Sequence, residues 1–199
     1  KGGGSIYTLD EIVPTSNYCK ANGLNIHLDG ARIFNALVET NESTIDWGRH
    51  FDTISICLSK GLGAPVGSLL LGTKDKIKEA RRFRKVMGGG MRQAGYLAAA
   101  GIFALENNIP KLKIDNDRAK HIGKILSSLP FVQELKPVQS NIVIFKLQDD
   151  IRDHDFIQIL KQNGILAVPF GDNTIRFVFH LDITENMVEQ LEQILPKLI

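Results

Sequence analysis

"NIHLDGARIF", residues 25–34, decides the fold, because it joins a short apolar strand directly to a helix. The predicted strand covers 24–28 and ends at Asp29 and Gly30, a pair typical of turns. The following segment, 31–40, repeats its apolar side chains with a helical period. A strand that passes straight into a helix is typical of a strand–helix–strand unit, so we expect a second, parallel strand downstream.

A second strand is indeed predicted at 51–59, where "FDTISICLS" is rich in β-branched residues. Beyond it, the sequence predicts a strand at 67–72 and helices at 73–86 and 91–107. This alternation favours an α/β fold with a mostly parallel sheet and helices on its faces. After Pro110 the pattern changes to a long helix near 111–128, followed by shorter strands and helices. We therefore predict a second, smaller α+β domain with its boundary near 108–112.

Composition excludes several classes of partner. The chain has 199 residues, of which 43% are apolar and 23% charged, and its formal net charge is +2. We therefore expect neither nucleic acid nor an anionic membrane as a partner, and no stretch approaches the roughly 18 consecutive apolar residues of a membrane span. Cys19 and Cys57 lack metal-site spacing, so we expect no metal and a reducing, cytoplasmic setting.

Lys60 and Asp29 are the residues whose positions suggest chemistry. Asp29 ends the first strand, and Lys60 follows the second strand at the start of the glycine-rich segment "KGLGAPVGS". A right-handed crossover returns the chain to the same sheet edge, which brings the two side chains within reach of one small ligand. Taken singly, each has a structural alternative: Lys60 is a solvated loop lysine and Asp29 is the N-cap of the next helix.

A lysine and a carboxylate at one sheet edge suit pyridoxal 5'-phosphate (PLP). In PLP enzymes a lysine forms a Schiff base with the cofactor aldehyde, while a carboxylate pairs with the protonated ring nitrogen. That protonation preserves the capacity of the ring to withdraw electrons from the substrate Cα. The pair therefore predicts a PLP site.

Several other cations are weaker candidates. Arg32 is predicted in the first turn of a helix, where a cation is unfavourable unless it binds an anion. Arg176 lies in "TIRFVFH", where its fork suits a substrate carboxylate, although a salt-bridged structural arginine is the alternative. His27 is predicted on the same strand face as Asp29 and is a possible neighbour of the site. Lys85 and Arg92 flank glycines 88–90 and would not be selected on physical grounds alone.

Four motifs together resemble one enzyme family. They are "HLDGAR", "SKGLGAPVGS", "GGGMRQAG" and "IRFVFHLDIT", in this order and spacing. The chain resembles the low-specificity threonine aldolases, which are fold-type I PLP enzymes. The resemblance implies that residues 1–109 are the C-terminal part of the large PLP-binding domain, and that 110–199 form the small C-terminal α+β domain.

The resemblance also implies a role for each candidate residue. Lys60 would be the Schiff-base lysine and Asp29 the partner of the ring nitrogen, while Arg32 and Arg176 would bind the substrate carboxylate. Lys85 and Arg92 would match cations that reach the cofactor phosphate of a neighbouring subunit, which implies a homo-oligomer, either a dimer or a tetramer.

The implied reaction is retro-aldol cleavage of L-threonine or L-allo-threonine to glycine and an aldehyde. The resemblance begins partway into the family's chain, so we expect an N-terminal segment to be missing and this chain alone to be inactive. The alternatives are another fold-type I activity, such as a lyase or a decarboxylase, and a non-catalytic truncated module.

Overall fold

The computed structural model describes residues 3–198, which divide into two compact units. The first unit is Tyr7–Pro110, and the second comprises residues 3–6 together with 111–198. Each unit has its own β-sheet. No helix among the described residues is long and apolar enough to cross a membrane.

The first unit contains a three-stranded sheet in the order β1-β2-β3. Its strands are β1 (His27–Asp29), β2 (Thr53–Cys57) and β3 (Ser68–Gly72). Its helices are α1 (Leu9–Ala21), α2 (Ile33–Thr40), α3 (Thr44–Gly48), α4 (Lys74–Val86) and α5 (Gly95–Asn107). The pairing of β1 with β2 is parallel and aligns Asp29 with Ser55, so both strands end at the same edge of the sheet.

The sheet of the first unit is mixed, which corrects the prediction of a mostly parallel sheet. β3 pairs antiparallel with β2, and its Ser68 is aligned with Cys57. The connecting segment 58–67 contains no helix. A parallel return usually needs a crossover of about a dozen residues or more, most often helical. A short loop without a helix therefore favours the antiparallel arrangement.

The second unit packs helices on one face of an antiparallel sheet with the order β4-β5-β7-β6. The strands are β4 (Val132–Leu135), β5 (Ile142–Leu147), β6 (Val168–Pro169) and β7 (Thr174–Val178). The helices are α6 (Leu112–Leu126), α7 (Asp153–Gln162), α8 (Glu185–Ile194) and a final 3₁₀ turn, Leu195–Lys197. Phe145 and Phe156 are fully buried in the core, where the ring of Phe145 meets that of Phe156 edge-on. This unit is the predicted smaller α+β part.

The glycines near the N-terminus pack against this second sheet. Gly4 has φ +81°, and a Cβ atom there would approach Ile142 Cβ to 2.8 Å. The Gly4 carbonyl accepts a hydrogen bond from Ser140 Oγ at 2.7 Å. Only glycine combines this left-handed conformation with so close an approach.

Asp115 on α6 is a buried carboxyl, and its burial should cost stability. It is 1% exposed, and within residues 3–198 its Oδ2 atom has no hydrogen-bond partner. Burial raises the pKa of Asp115 above its ordinary value of 3.8, although the charges of Arg118 and His180 oppose the shift. The folded state therefore resists an ionisation that the unfolded chain undergoes freely, and the free energy of unfolding falls as pH rises above that value.

We expect Asp115→Asn to stabilise the protein at pH 7 by on the order of 1 kcal/mol, or a few degrees in Tm. The gain should shrink towards pH 4, where the unfolded state is also protonated. Thermal unfolding followed by circular dichroism at several pH values checks this. The matched control is Asp117→Asn on the same helix, which removes an exposed ion pair with Lys113 and should slightly destabilise. A gain from Asp115→Asn that is equal at pH 4 and pH 7 would contradict the prediction.

Candidate functional site

Asp29 lies at the C-terminal end of β1 with part of its carboxylate free. Its Oδ1 atom accepts a hydrogen bond from the Ala31 backbone N–H at 3.2 Å, and its side chain is exposed. Asp29 is not the N-cap of α2, because Arg32 occupies that position. The carboxylate instead closes a local turn across Gly30. That bond fixes the carboxylate and leaves Oδ2 available to a ligand.

Gly30 allows the turn after Asp29 to lie against the neighbouring strand. A Cβ atom on Gly30 would be 2.9 Å from the Ser55 carbonyl oxygen of β2. Such a contact is too close for any residue other than glycine without a shift of the backbone. Gly30 therefore holds Asp29 close to the end of β2.

Lys60 lies three residues beyond the end of β2, at the same edge of the sheet as Asp29. The Lys60 carbonyl accepts from Gly63 N–H at 2.8 Å, and Leu58 and Ala64 close the same loop through a 3.0 Å backbone bond. Gly63 has φ +74°, which favours glycine in this tight turn. The loop backbone is thus held, while the Lys60 side chain is exposed and forms no ion pair among the described residues.

One face of this sheet carries polar side chains on β1 and β2, whereas β3 contributes both Ser68 and the apolar Leu70 to it. The register places Asp29 beside Ser55 and Cys57 beside Ser68 on the same face, because successive side chains in a strand alternate between faces. Ile54 and Ile56 lie on the opposite face. The polar face includes His27, whose Nδ1 atom is 2.8 Å from Thr53 Oγ1.

Cys57 lies on the polar face, close to Lys60. Its Sγ atom is 3.5 Å from Ser59 Oγ. Burial opposes ionisation of the thiol, but hydrogen bonds with Ser59 and Ser68 and the charge of Lys60 outweigh burial and hold the pKa of Cys57 below its usual value. A lowered pKa makes a thiol more reactive at neutral pH.

We expect Lys60→Gln to raise the pKa of Cys57, because the substitution removes a nearby positive charge. The alkylation rate of Cys57 by iodoacetamide, followed across pH by peptide mass spectrometry, would show its midpoint move to higher pH. Lys78→Gln, which changes another exposed lysine of the same unit, should leave the midpoint unchanged. An unchanged midpoint in Lys60→Gln would show that the charge of Lys60 does not act on this thiol.

Arg32 lies at the beginning of α2 as its N-cap, with φ −133°, and not in its first turn as predicted. The Nε atom of its guanidinium is buried. The position is still at the positive end of the helix dipole, so an anionic partner remains electrostatically favourable there.

Arg176 belongs to the second unit, in the middle of β7. Its guanidinium lies over the Phe170 ring, 4.8 Å from the centroid, and its buried Nε atom has no hydrogen-bond partner in the described part of the chain. Arg176 also lines a cavity of about 610 Å³ together with Val168, His180 and Met187. The Arg176 guanidinium stacks on Phe170 and still has a hydrogen-bond donor to offer at Nε, so it can bind a carboxylate.

Lys85 and Arg92 both have exposed side chains, and neither forms an ion pair within residues 3–198. Lys85 is in the last turn of α4, and Arg92 is in the loop that leads to α5. Gln93, which follows Arg92, has φ +47°, an uncommon conformation for a residue other than glycine. Residues in the left-handed backbone conformation are often found at functional sites, where they help to set the direction of a neighbouring side chain.

The sequence analysis did not select Thr53, Ser55, Cys57 or Ser68. The signal that could have found them is the alternation of polar residues with Ile54 and Ile56 in "TISIC", since a sheet covered on both faces normally has apolar side chains on each. Across the described residues there is no group of three or more His, Cys, Asp or Glu placed to hold a metal ion.

Comparison with known proteins identifies relatives across almost the whole chain. Residues 1–150 match the family described as beta-eliminating lyase. Low-specificity L-threonine aldolase 1 of Arabidopsis thaliana is 35% identical, over 94% of this chain and 53% of its own length. Low specificity L-threonine aldolase of Escherichia coli K12 is 36% identical, over 96% of this chain and 55% of its own length. The chain thus spans about half the length of the curated relatives it matches.

Solved structures show the same architecture. The Leishmania major threonine aldolase structure superposes with a TM-score of 0.81 at 25% identity, covering 100% of this chain and 58% of that one. This likeness confirms the predicted fold class, an α/β unit with a smaller α+β unit.

Proposed function

Because the chain belongs to the beta-eliminating lyase family, we propose that it is part of a PLP-dependent aldehyde-lyase. The proposed reaction is cleavage of L-threonine or L-allo-threonine, both β-hydroxy-α-amino acids, to glycine and an aldehyde. The observation that carries the proposal is the placement of Asp29 at the end of β1 and of Lys60 just beyond the end of β2, the adjacent parallel strand. The activity is that of the full-length protein, meaning this chain with any residues its gene encodes on either side.

The residues at this sheet edge fit PLP. Asp29 has one carboxylate oxygen held by Ala31 and one available to a protonated ring nitrogen. The Lys60 amine makes no competing ion pair among the described residues, so it is available to the cofactor aldehyde. The polar sheet face beside them suits a polar, charged cofactor better than an apolar one.

When bound, PLP supplies an electron sink that stabilises negative charge at the substrate Cα. Asp29 would keep the ring nitrogen protonated by accepting its hydrogen bond. Lys60 would hold the cofactor through its aldehyde, and its Nζ atom would carry a proton during the reaction. Arg32 and Arg176 are proposed to bind the substrate carboxylate, which fixes the orientation of the bond to be broken.

We also propose a homo-oligomer, either a dimer or a tetramer, in which Lys85 and Arg92 reach the cofactor phosphate of a neighbouring subunit. The support is an exposed apolar surface in the same stretch of chain: Met87, which follows α4, is 84% exposed, and on α5 Tyr96 is 70% and Phe103 60% exposed. Helix α5 is apolar on nearly all sides, which is typical of a helix that is buried in the complete assembly. A neighbouring subunit would cover this surface.

A second candidate is β-elimination, which the description of the matched family favours. Both reactions use the same Lys60 and Asp29, and they differ in the bond that is broken. Products separate them: glycine and acetaldehyde from L-threonine indicate the aldolase, whereas ammonia released from an amino acid with a β-leaving group indicates elimination. For the compartment, we propose the cytoplasm, where the free thiols of Cys19 and Cys57 remain reduced.

The test is glycine formation from L-threonine by the purified full-length protein supplied with PLP. We expect turnover together with a visible absorption band of the bound cofactor. The chain of 199 residues on its own should lack this activity, because about half the length of its relatives has no counterpart in it. Absence of both the band and turnover in the full-length protein would refute the proposal.

A further inference from the structure

The polar face of the first sheet extends beyond Asp29 towards the beginning of the strands. His27 lies two residues before Asp29 on the same face of β1, about 6.6 Å away along the strand. Thr53 is its aligned partner on β2. A histidine and a threonine facing each other here are unusual for a strand interior that helices normally cover, where β-branched apolar residues predominate.

The imidazole of His27 is fixed in position by Thr53. Its Nδ1 atom lies 2.8 Å from Thr53 Oγ1, a good hydrogen-bond distance between adjacent strands. Nε2 of the same ring has no partner among the described residues. The Thr53 bond therefore restrains the ring on the face of β1 that also carries Asp29, and it leaves one ring nitrogen to interact along that face.

We propose that His27, held by Thr53, is a positioning residue for Asp29 in the cofactor site. This inference rests on the proposed function and deepens it. Ala31 already binds one oxygen of Asp29, so the orientation of the other oxygen depends on the neighbouring side chains. The imidazole fixed by Thr53 presents its second ring nitrogen as a hydrogen-bonding group on the strand face of that oxygen, which an apolar side chain at position 27 would not do.

The experiment compares His27→Leu, His27→Asn and Thr53→Val in the full-length protein loaded with PLP. The amide of His27→Asn can occupy the position of Nδ1 and keep the bond to Thr53, so this variant separates strand folding from action on Asp29. A matched control is His121→Leu, which breaks another histidine hydrogen bond, the 2.9 Å contact with Glu192 in the second unit.

We expect His27→Leu to weaken PLP binding and lower kcat by about tenfold or more, the scale seen when the outer partner of a liganding side chain is lost. KM for threonine should change little, and the absorption maximum of the bound cofactor should shift. The double variant with Thr53→Val should be no worse than His27→Leu alone, because both changes remove one interaction. His27→Asn should keep the wild-type Tm but not the wild-type PLP affinity.

The outcomes separate this inference from the proposed function. If the wild-type protein binds PLP and forms glycine while His27→Leu and His27→Asn bind PLP as tightly as it does, with unchanged spectra, the inference is overturned alone. If the wild-type protein neither binds PLP nor cleaves threonine, the proposed function has failed as well. Equal losses in His121→Leu would also overturn the inference, since they would reveal a general loss of stability.

Discussion

Replacing Lys60 with alanine should abolish glycine formation from L-threonine by the full-length protein, with a loss of at least about a thousandfold in kcat. The physical reason is that Lys60 supplies an amine three residues beyond β2, at the sheet edge that Asp29 shares. Without this amine the cofactor aldehyde has no covalent anchor, and the proton carried at Nζ is lost. The visible band of bound PLP should change in the same variant.

The matched control for Lys60→Ala is Lys78→Ala, which removes another exposed lysine from the same unit. It should retain wild-type turnover and Tm. Methylamine added to Lys60→Ala should restore part of the rate, because a small amine can replace a missing amine in reaction with the aldehyde and in proton transfer. Full turnover in Lys60→Ala without added amine would rule out Lys60 as the cofactor lysine.

The sequence predicted the part of the fold that local pattern determines. The strand–helix–strand unit around "NIHLDGARIF" places Asp29 and Lys60 at one sheet edge, because the helix α2 returns the chain to a parallel neighbour. The start of α1 is equally local, because Thr8 and Glu11 form a capping box in which the Glu11 carboxylate accepts from Thr8 N–H at 2.8 Å. The predicted resemblance to threonine aldolases is confirmed by the matched family and its relatives.

What the sequence did not predict depends on contacts between segments distant in the chain. The direction of β3 follows from its pairing with β2, and no local pattern in "GSLLLG" distinguishes the two directions. The strand β1 begins at His27, later than predicted, because pairing with Thr53 determines where the ladder starts. The short helix α3 escaped prediction, since so few residues carry little periodicity.

Polar residues on the first sheet were missed for a related reason. Thr53 and Cys57 are ordinary strand residues when read singly, and they acquire a possible role only when the register places them beside His27 and Ser68. Arg32 was selected as a site candidate from the sequence, but its position was predicted wrongly: it is the N-cap of α2 and does not lie in the first helical turn. Helix ends depend on capping geometry, so such errors are common.

The second large effect is expected at Asp29, where three variants separate the local hydrogen bond from the proposed cofactor contact. Asp29→Asn keeps a side-chain oxygen that can accept from Ala31 N–H, but it loses the negative charge. We expect kcat to fall by about 10² to 10³, the range seen when one preorganised countercharge is removed. Tm should stay close to that of the wild type. Asp29→Ala should lose the same activity and also about 1 kcal/mol of stability, because the local bond is gone.

Asp29→Glu is the charge-preserving control, and it should retain more activity than Asp29→Asn although its longer side chain displaces the carboxylate. The measurements are kcat for glycine formation, the PLP dissociation constant and Tm, each taken on the full-length protein. If Asp29→Asn and Asp29→Ala differ only in Tm and both keep wild-type PLP affinity and turnover, then Asp29 serves only the turn across Gly30. If Asp29→Asn loses activity at an unchanged Tm while Asp29→Glu retains part of it, the negative charge of the carboxylate acts on the ring nitrogen. The position of Asp29 at the strand end then follows from chemistry as well as from folding.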